Sequence, residues 1–519
     1  MSAKPTQAVH LRPQDNVAIA TQLLPQGTQL QFGDLKVTIS TPIKMGHKFA
    51  VVPISEGDPI KKYGQIIGFA ARPVEPGEHI HVHNVKLGSF ERDYAYATEV
   101  PPPPGEPNQW RTFMGFDRGP SRPDHLRYGT RNYIAVISTV NCSATTSKYV
   151  GDRIKSLGIL KNYPNVDGVI AITHRLGCGL AYDSEDHRQL DRTLAGIARH
   201  ANVAAYILIG LGCETGQASH LIEGEKLTQI GRPDNKPLVL TIQECGGIAK
   251  TVDVATQTVI NLLPQVNQIK RVPLPAKHII LGTNCGGSDG NSGVTANPAL
   301  GVASDLIVQQ GGTTILGETP EIYGAEHLLT RRAISKAVGE KLVERIKWWE
   351  WYTSVFGAEI NNNPSPGNKE GGLTTIYEKS LGAIAKAGTT AMVDVVRYAE
   401  PVTAKGFVVM DTPGYDPVSM TGIVAGGANV CVFTTGRGSV FGCKPTPSIK
   451  IATNSPLYHH MIDDMDINAG VILEGTPVEK VGQEIFEKIL SVASGERTKS
   501  ELNGVGEEEF APWSIGPTL

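Results

Sequence analysis

Five cysteines each follow an apolar, β-branched run: YIAVIST before Cys142, VDGVIAITHRLG before Cys178, AAYILIGLG before Cys213, PLVLTIQE before Cys245 and HIILGTN before Cys285. Successive members are 36, 35, 32 and 40 residues apart, about one strand–helix unit each. Open parallel sheets bind ligands outside the carboxyl ends of their strands, so the spacing predicts several thiols at one edge of one sheet. Thiolates are soft metal ligands and good nucleophiles. Cys142 (VNCSATTS), Cys178 (THRLGCG), Cys213 (LGCETG) and Cys285 (TNCGGSDG) stand beside Gly or small polar residues, as a site for iron, zinc or an iron–sulfur cluster requires. Taken singly, each could equally be a small apolar residue under a turn. Cys245 (QECGG) fits less well, and Cys431 reads as core. No CxxC spacing occurs, which argues against a zinc-finger type of site.

His47 stands in MGHKFA, and His81 and His83 in EHIHVHN. Residues two apart on a strand share a face, so an HxH pair can offer two imidazoles to one metal, although exposed edge histidines look the same. His174, four residues before Cys178, is a candidate general base or ligand. Three turns suit a small anion: NCGGSDGNSGVTANP with Ser288 and Asp289, NPSPGNKEGG with Asn368 and Lys369, and TTGRGS with Arg437. They combine backbone N–H groups, hydroxyls and a guanidinium able to clamp a carboxylate. Each could be a simple cap; together they point to a polyhydroxylated acid as ligand. Neither a Walker nor a GxGxxG pattern accompanies them, which leaves nucleotide binding unsupported. Glu214, Asp289, Glu318, Glu321 and Asp411 fall at similar strand ends, as acid–base groups, hard ligands or N-caps.

These residues need a scaffold. Residues 13–95 read as a small β-rich unit of short strands between Gly, Pro and Asp turns. Residues 96–125, with four consecutive prolines, read as a linker. Strand runs then alternate with helical spacing over 126–272 and again over 273–519, which predicts two α/β units with parallel sheets. Trp348, Trp349 and Trp351 on the longest helical stretch read as packing. A net charge of −3 without a Lys/Arg stripe gives no reason to expect nucleic acid. No 18-residue apolar run exists to span a membrane. The opening MSAKPTQAVHLRPQDNV lacks a signal-peptide core, so a cytoplasmic protein with reduced thiols is expected, plausibly a homo-oligomer.

Longer strings go further. DNVAIA, GHKFA, KYGQIIGFA and GEHIHVHN resemble the small SAF-type domain of the altronate/galactarate dehydratase family. YGTRNYI, NCSAT, GLGCE, CGGSDGNSGVTANP, ETPEIYGAEHLL, NPSPGNKEGGLTT, TTGRG, PSIKIATN and MDINAG resemble motifs of that family's main part. The resemblance implies a SAF domain before Rossmann-like α/β sheets, and an iron(II)-dependent hydro-lyase acting on aldonic or aldaric acids. HVHN, GGTT, EIYGAEHLL and VDVVRYAEP look closer to altronate dehydratases, and MDINAG to galactarate dehydratases. VFGCKPTPS, with Cys443, departs from both. On this reading Cys142, Cys178, Cys213 and Cys285 supply the iron site, mononuclear or as a cluster with one open iron, and His47 and His83 approach it. His174 or Lys369 is the base. Arg437, Lys369, Ser288, Asp289 and Asn368 bind the sugar acid. The alternatives are a lyase for a sulfonated hydroxy acid, a non-catalytic sugar-acid sensor and a thiol-dependent transferase.

Overall fold

The structure, a computed structural model, describes residues 7–88, 92–229 and 236–516. The N-terminal unit is antiparallel: a four-stranded sheet in the order Ala8–Val9, Val17–Ala20, Lys48–Ala50, His79–Ile80, a three-stranded sheet of Pro59–Lys62, Gln65–Ala70 and Val85–Lys86, and a hairpin of Gln29–Phe32 with Leu35–Thr38. It is the SAF-type domain. Such short strands bury little by themselves. This unit shares one apolar core with the C-terminal part: Val17, Ala50, Ile60 and Ile80 pack with Leu316, Ile322 and Leu329.

Thr112–Asp117, inside the stretch read as linker, is a strand. It pairs antiparallel with Arg271–Pro275 and so clasps the entrance and exit of the middle domain. That domain carries a parallel sheet in the order Gly168–Ile172, Tyr133–Ser138, Val203–Gly210, Leu238–Thr241. The C-terminal domain carries seven parallel strands in the order Met392–Val396, Gly406–Met410, Thr313–Leu316, Ile280–Cys285, Val430–Thr435, Ser448–Ala452, Ile467–Asn468. Its central strands are buried along their whole length. A sheet covered on both faces needs such continuous apolar runs. Both sheets are Rossmann-like.

The two α/β domains also share a core, in which Ile137 and Leu208 join Met410 and Phe433. Helix Glu185–Ala198 lies against helix Asp416–Ala425 so closely that a Cβ on Gly196 would stand 2.3 Å from the Ala425 carbonyl oxygen. Four of the five strand-end thiols therefore belong to one sheet and the fifth, Cys285, to the other. A βα-length interval does not reveal that the chain leaves the first sheet through helix Ile248–Asn267 and starts a second one. Among the described residues, no helix is long and apolar enough to cross a membrane.

Candidate functional site

Strands Ile280–Cys285 and Val430–Thr435 are neighbours, yet the chain runs from them to opposite sides of the seven-stranded sheet. Such a switch point opens a crevice between diverging loops. The loops are tied at its floor, where the Gly436 and Arg437 N–H groups both donate to the Gly287 carbonyl, at 3.0 and 2.8 Å. The cleft above measures about 270 Å³ and is lined by Asp289, Asn291, Arg437, Asn454, Lys44 and His47, the last two from the SAF domain.

Asp289 accepts bonds from the Asn291 N–H and from the Ser292, Thr453 and Asn454 side chains. Burial pushes its carboxyl up, against these bonds. The Arg437 guanidinium stands at the rim, 44% exposed, 3.1 Å from Glu370 Oε2. Asn368 is buried and structural: its Nδ2 donates to the Ser288 carbonyl at 2.8 Å, and its Oδ1 completes a capping box with Ser365. The Ser288 hydroxyl is buried without a partner. Lys369 lies half-buried beside Glu370 and Gly371, which line the cleft. Asp289 and Arg437 thus line the cleft, while Ser288, Asn368 and Lys369 belong to the turns that border it without lining it.

Three imidazoles converge beside them. His47, His79 and His81 each offer a nitrogen within 4.8 Å of the others. His47 Nε2 is 3.0 Å from the Glu370 carbonyl oxygen and must donate to it, which leaves the Nδ1 lone pair aimed at His79 Nε2, also 3.0 Å away. A carbonyl that fixes the far N–H of an imidazole is the usual second partner of a metal-ligating histidine. Burial, then mutual repulsion, pushes His79 down to about 3; burial and the nearby Lys48 charge push His81 down to about 4. Burial lowers His47 as well, so all three shifts favour the neutral ring that coordination demands, and His81 Nδ1 is buried without a partner. The donor set fits a divalent transition metal. His83 lies outside this trio. The strand ends at Ile80, and a turn in which Asn84 Oδ1 accepts the His81 N–H turns His83 outward. His79, in the same EHIHVHN string, takes its place.

The trio is held by buried charge. Lys48 and Lys62 of the SAF domain each stand 2.9 Å from a different oxygen of Glu378, in helix Ile376–Ala383, and all three side chains are at most 1% exposed. The Gly46 carbonyl lies where a Cβ on Gly290 would be, 1.9 Å away.

The remaining cysteines sit elsewhere. Cys142, Cys178 and Cys213 are exposed at the carboxyl edge of the four-stranded sheet. Their loops interlock: Asn141 N–H donates to the Leu176 carbonyl and Gly216 N–H to that of Gly177, both at 2.9 Å. Among the described residues, no trio of metal-capable groups within 4.8 Å includes these thiols. His174 is not free to take a proton here. Its Nδ1 accepts the Leu176 N–H at 3.1 Å, its Nε2 donates to the Ser138 carbonyl at 3.0 Å, and burial pushes it down to about 4. Cys443 is core, packed with Phe433 and Phe441.

Cys285 lies instead in a buried polar knot. Lys386 Nζ is 2.9 Å from its Sγ and also bonds Glu318 Oε2; Lys379 Nζ is 2.7 Å from Glu321 Oε1. Cys285, Glu318 and Glu321 are spaced to hold a cation, but the two ammonium groups already supply the positive charge. His187, Asp191 and His220 form a third such group. There the His187 Nδ1 accepts the Asp183 N–H at 3.0 Å, which puts the ring proton on Nε2, the nitrogen nearest Asp191, and removes the lone pair a metal would need.

Family models match the chain in three blocks: the altronate/galactarate dehydratase SAF domain over residues 6–88, the second domain of D-galactarate dehydratase/altronate hydrolase over 119–267, and the D-galactarate/altronate dehydratase C-terminal domain over 276–518. An altronate dehydratase of Bacillus subtilis (strain 168) is 33% identical over 514 residues, 98% of this chain and 99% of the relative. A galactarate dehydratase (L-threo-forming) of Escherichia coli (strain K12) is 37% identical over 490 residues, 93% of this chain and 92% of the relative. The (2R)-sulfolactate sulfo-lyase subunit beta of Chromohalobacter salexigens is 31% identical over 408 residues, 77% of this chain and 96% of the relative.

Proposed function

Because the chain belongs to the altronate/galactarate dehydratase family, and is thereby a hydro-lyase, we propose that it removes water from altronate to give a 2-keto-3-deoxy acid, with galactarate as the second substrate to try. The observation that carries this reading is that His47, one of three imidazoles clustered within 4.8 Å of one another, lines the same cleft as Arg437 at the sheet's switch point. Arg437 exchanges Glu370 for the substrate carboxylate, a bidentate contact that fixes the acid's orientation. The turns bearing Ser288, Asp289 and Asn368 present groups to its hydroxyls. Lys369 is the candidate to receive the C2 proton, whose loss builds charge on the carboxylate that a cation at the site must stabilise. His47, His79 and His81 would hold iron(II), which would supply Lewis-acid polarisation of the substrate's oxygens in favour of losing the C2 proton and the C3 hydroxyl. His47 keeps its far nitrogen on the Glu370 carbonyl throughout, so the peptide that borders the cleft also sets the ring.

The test is anaerobic protein assayed over altronate, galactarate and sulfolactate, with product analysis and iron determination. Release of a 2-keto-3-deoxy acid, dependent on iron(II), is expected. Protein that holds no iron and gains no activity from it overturns the metal reading, and sulfite release from sulfolactate replaces the substrate. A second reading has its own support: the interlocked loops present Cys142, Cys178 and Cys213 at one edge, and three thiolates would hold a cluster with one iron open. Acid-labile sulfide in the anaerobic protein selects it; iron without sulfide selects the histidines.

A further inference from the structure

We propose that Glu318 is a catalytic residue of the dehydration, giving the substrate's C3 hydroxyl the proton with which it leaves as water. The proposal rests on the dehydratase reading above.

The two oxygens of Glu318 are in different situations. Oε2 is pinned by the Lys386 ammonium and by the Cys285 N–H at 3.2 Å. Oε1 is buried with no partner at all. Its backbone is left-handed, φ 63° and ψ 53°, a conformation that is strained for a glutamate and persists only where neighbours enforce it. They do so here: Thr412 Oγ1 accepts the Glu318 N–H at 2.7 Å, and the Thr412 carbonyl accepts the Thr319 N–H at 2.9 Å. The fold therefore maintains a strained turn that leaves a carboxyl oxygen free.

Two further unpartnered polar atoms lie along the segment that runs from this knot to the cleft. Asn284 Nδ2 and the Ser288 hydroxyl are both buried and unbonded, and the next residue, Asp289, lines the cleft. Buried polar atoms rarely stay unpaired, and a cluster of them marks a place that a ligand or water completes. Gly286 and Gly287 keep the segment thin; a Cβ on Gly286 would strike Asp416 Oδ2 at 2.2 Å. The charges point the same way. Among the described residues, the buried Glu318 and Glu321 pair with Lys386 and Lys379, and the partly buried Asp416 adds a third carboxyl to these two ammonium groups. Burial pushes Glu318 up to about 7 and Asp416 well above the usual carboxylate range. A carboxyl that keeps its proton near neutrality can give it away.

In the step, the C2–H electron pair becomes the C2=C3 bond while the base takes that proton. The C3–O bond breaks, and its oxygen takes the proton from Glu318 Oε1. The enol and one water leave, and the carboxylate recovers a proton from solvent.

A changed leaving group separates this role from a structural one. The sugar acid that the wild type dehydrates fastest is compared with its 3-deoxy-3-fluoro analogue, whose fluoride departs without needing that proton. Glu318→Gln should lower kcat on the hydroxy acid about 10²–10⁴-fold, leave KM within about threefold and leave fluoride release near the wild-type rate. If both substrates lose equally, or the hydroxy acid loses less than about threefold, the proposal is overturned. Should that variant fail to fold, Glu318→Gln with Lys386→Met removes both partners of the pair, and the same comparison decides. A wild type that dehydrates none of the acids overturns the dehydratase reading and this proposal with it; an active wild type with the wrong variant pattern overturns this proposal alone.

Discussion

At the scale of single residues, the histidines are the most discriminating positions. His47→Ala and His79→Ala should each abolish stoichiometric iron, while His83→Ala should bind as the wild type does; iron analysis of anaerobically purified variants checks this. Arg437 predicts a different signature. If it clamps the substrate carboxylate as proposed, its loss should remove about 1.5–3 kcal/mol of charge-assisted bonding, a drop of roughly 10- to 150-fold in kcat/KM. Steady-state kinetics of Arg437→Met should show most of this in KM. The sequence pointed to Arg437 and Asp289 through glycine-rich turns at strand ends, whereas Lys369 lies in the short helix Pro366–Glu370, which follows no strand. The sequence pointed to His83 and not to His79, because alternation along EHIHVHN holds only until the turn at Asn84, and a strand of two residues carries no signal of where it stops. The strand-end rule found Glu318; its free oxygen depends on Lys386, 68 residues away.

At the scale of elements, the seat of the SAF domain is the feature to test. Lys48 and Lys62 have one carboxylate between them, and removing it leaves two unpaired ammonium groups in the interior. Glu378→Ala should cost about 3–5 kcal/mol, the usual penalty for breaking a buried pair. Hydrogen exchange should report the loss first in Lys48–Ala50 and Gln65–Ala70, which rest on helix Ile376–Ala383 and its flanks. Gly290→Ala tests the same seat without touching charge, since its Cβ would displace the Gly46 carbonyl; a weaker iron site with an intact C-terminal domain is the expected outcome. None of this pairing was readable beforehand. Lysine and glutamate so far apart in sequence look like ordinary surface charge, and only the fold buries them. The parallel sheets were readable, because strands covered on both faces must be apolar throughout. The division of the strand-end thiols between two sheets was not, because crossover length is the same within a sheet and between sheets.

At the scale of the whole molecule, acid sensitivity follows from the buried neutral imidazoles. His174 is depressed to about 4 in the folded chain against about 6.5 when unfolded. Between those values the unfolded chain binds more protons, so this group's contribution is complete above about pH 6.5 and is lost as the pH falls toward 4. The full effect is on the order of 3 kcal/mol. Thermal unfolding of the wild type and His174→Gln at pH 7 and pH 5 should show a smaller acid-induced fall in Tm for the variant. The ion pairs that seat the SAF domain also have a consequence in time. Lys48 and Glu378 are 330 residues apart, and a ribosome adding about 5–20 residues per second needs roughly 15–65 s to make the second after the first. Throughout that interval the nascent SAF domain carries the clustered His47, His79 and His81 and the lysines Lys48 and Lys62 without the surface that covers them. The order of synthesis thus runs opposite to the order of need: the domain that carries the imidazole cluster is made first and has to wait, and cells that starve or stall ribosomes in the C-terminal half would accumulate chains with that cluster open and unguarded.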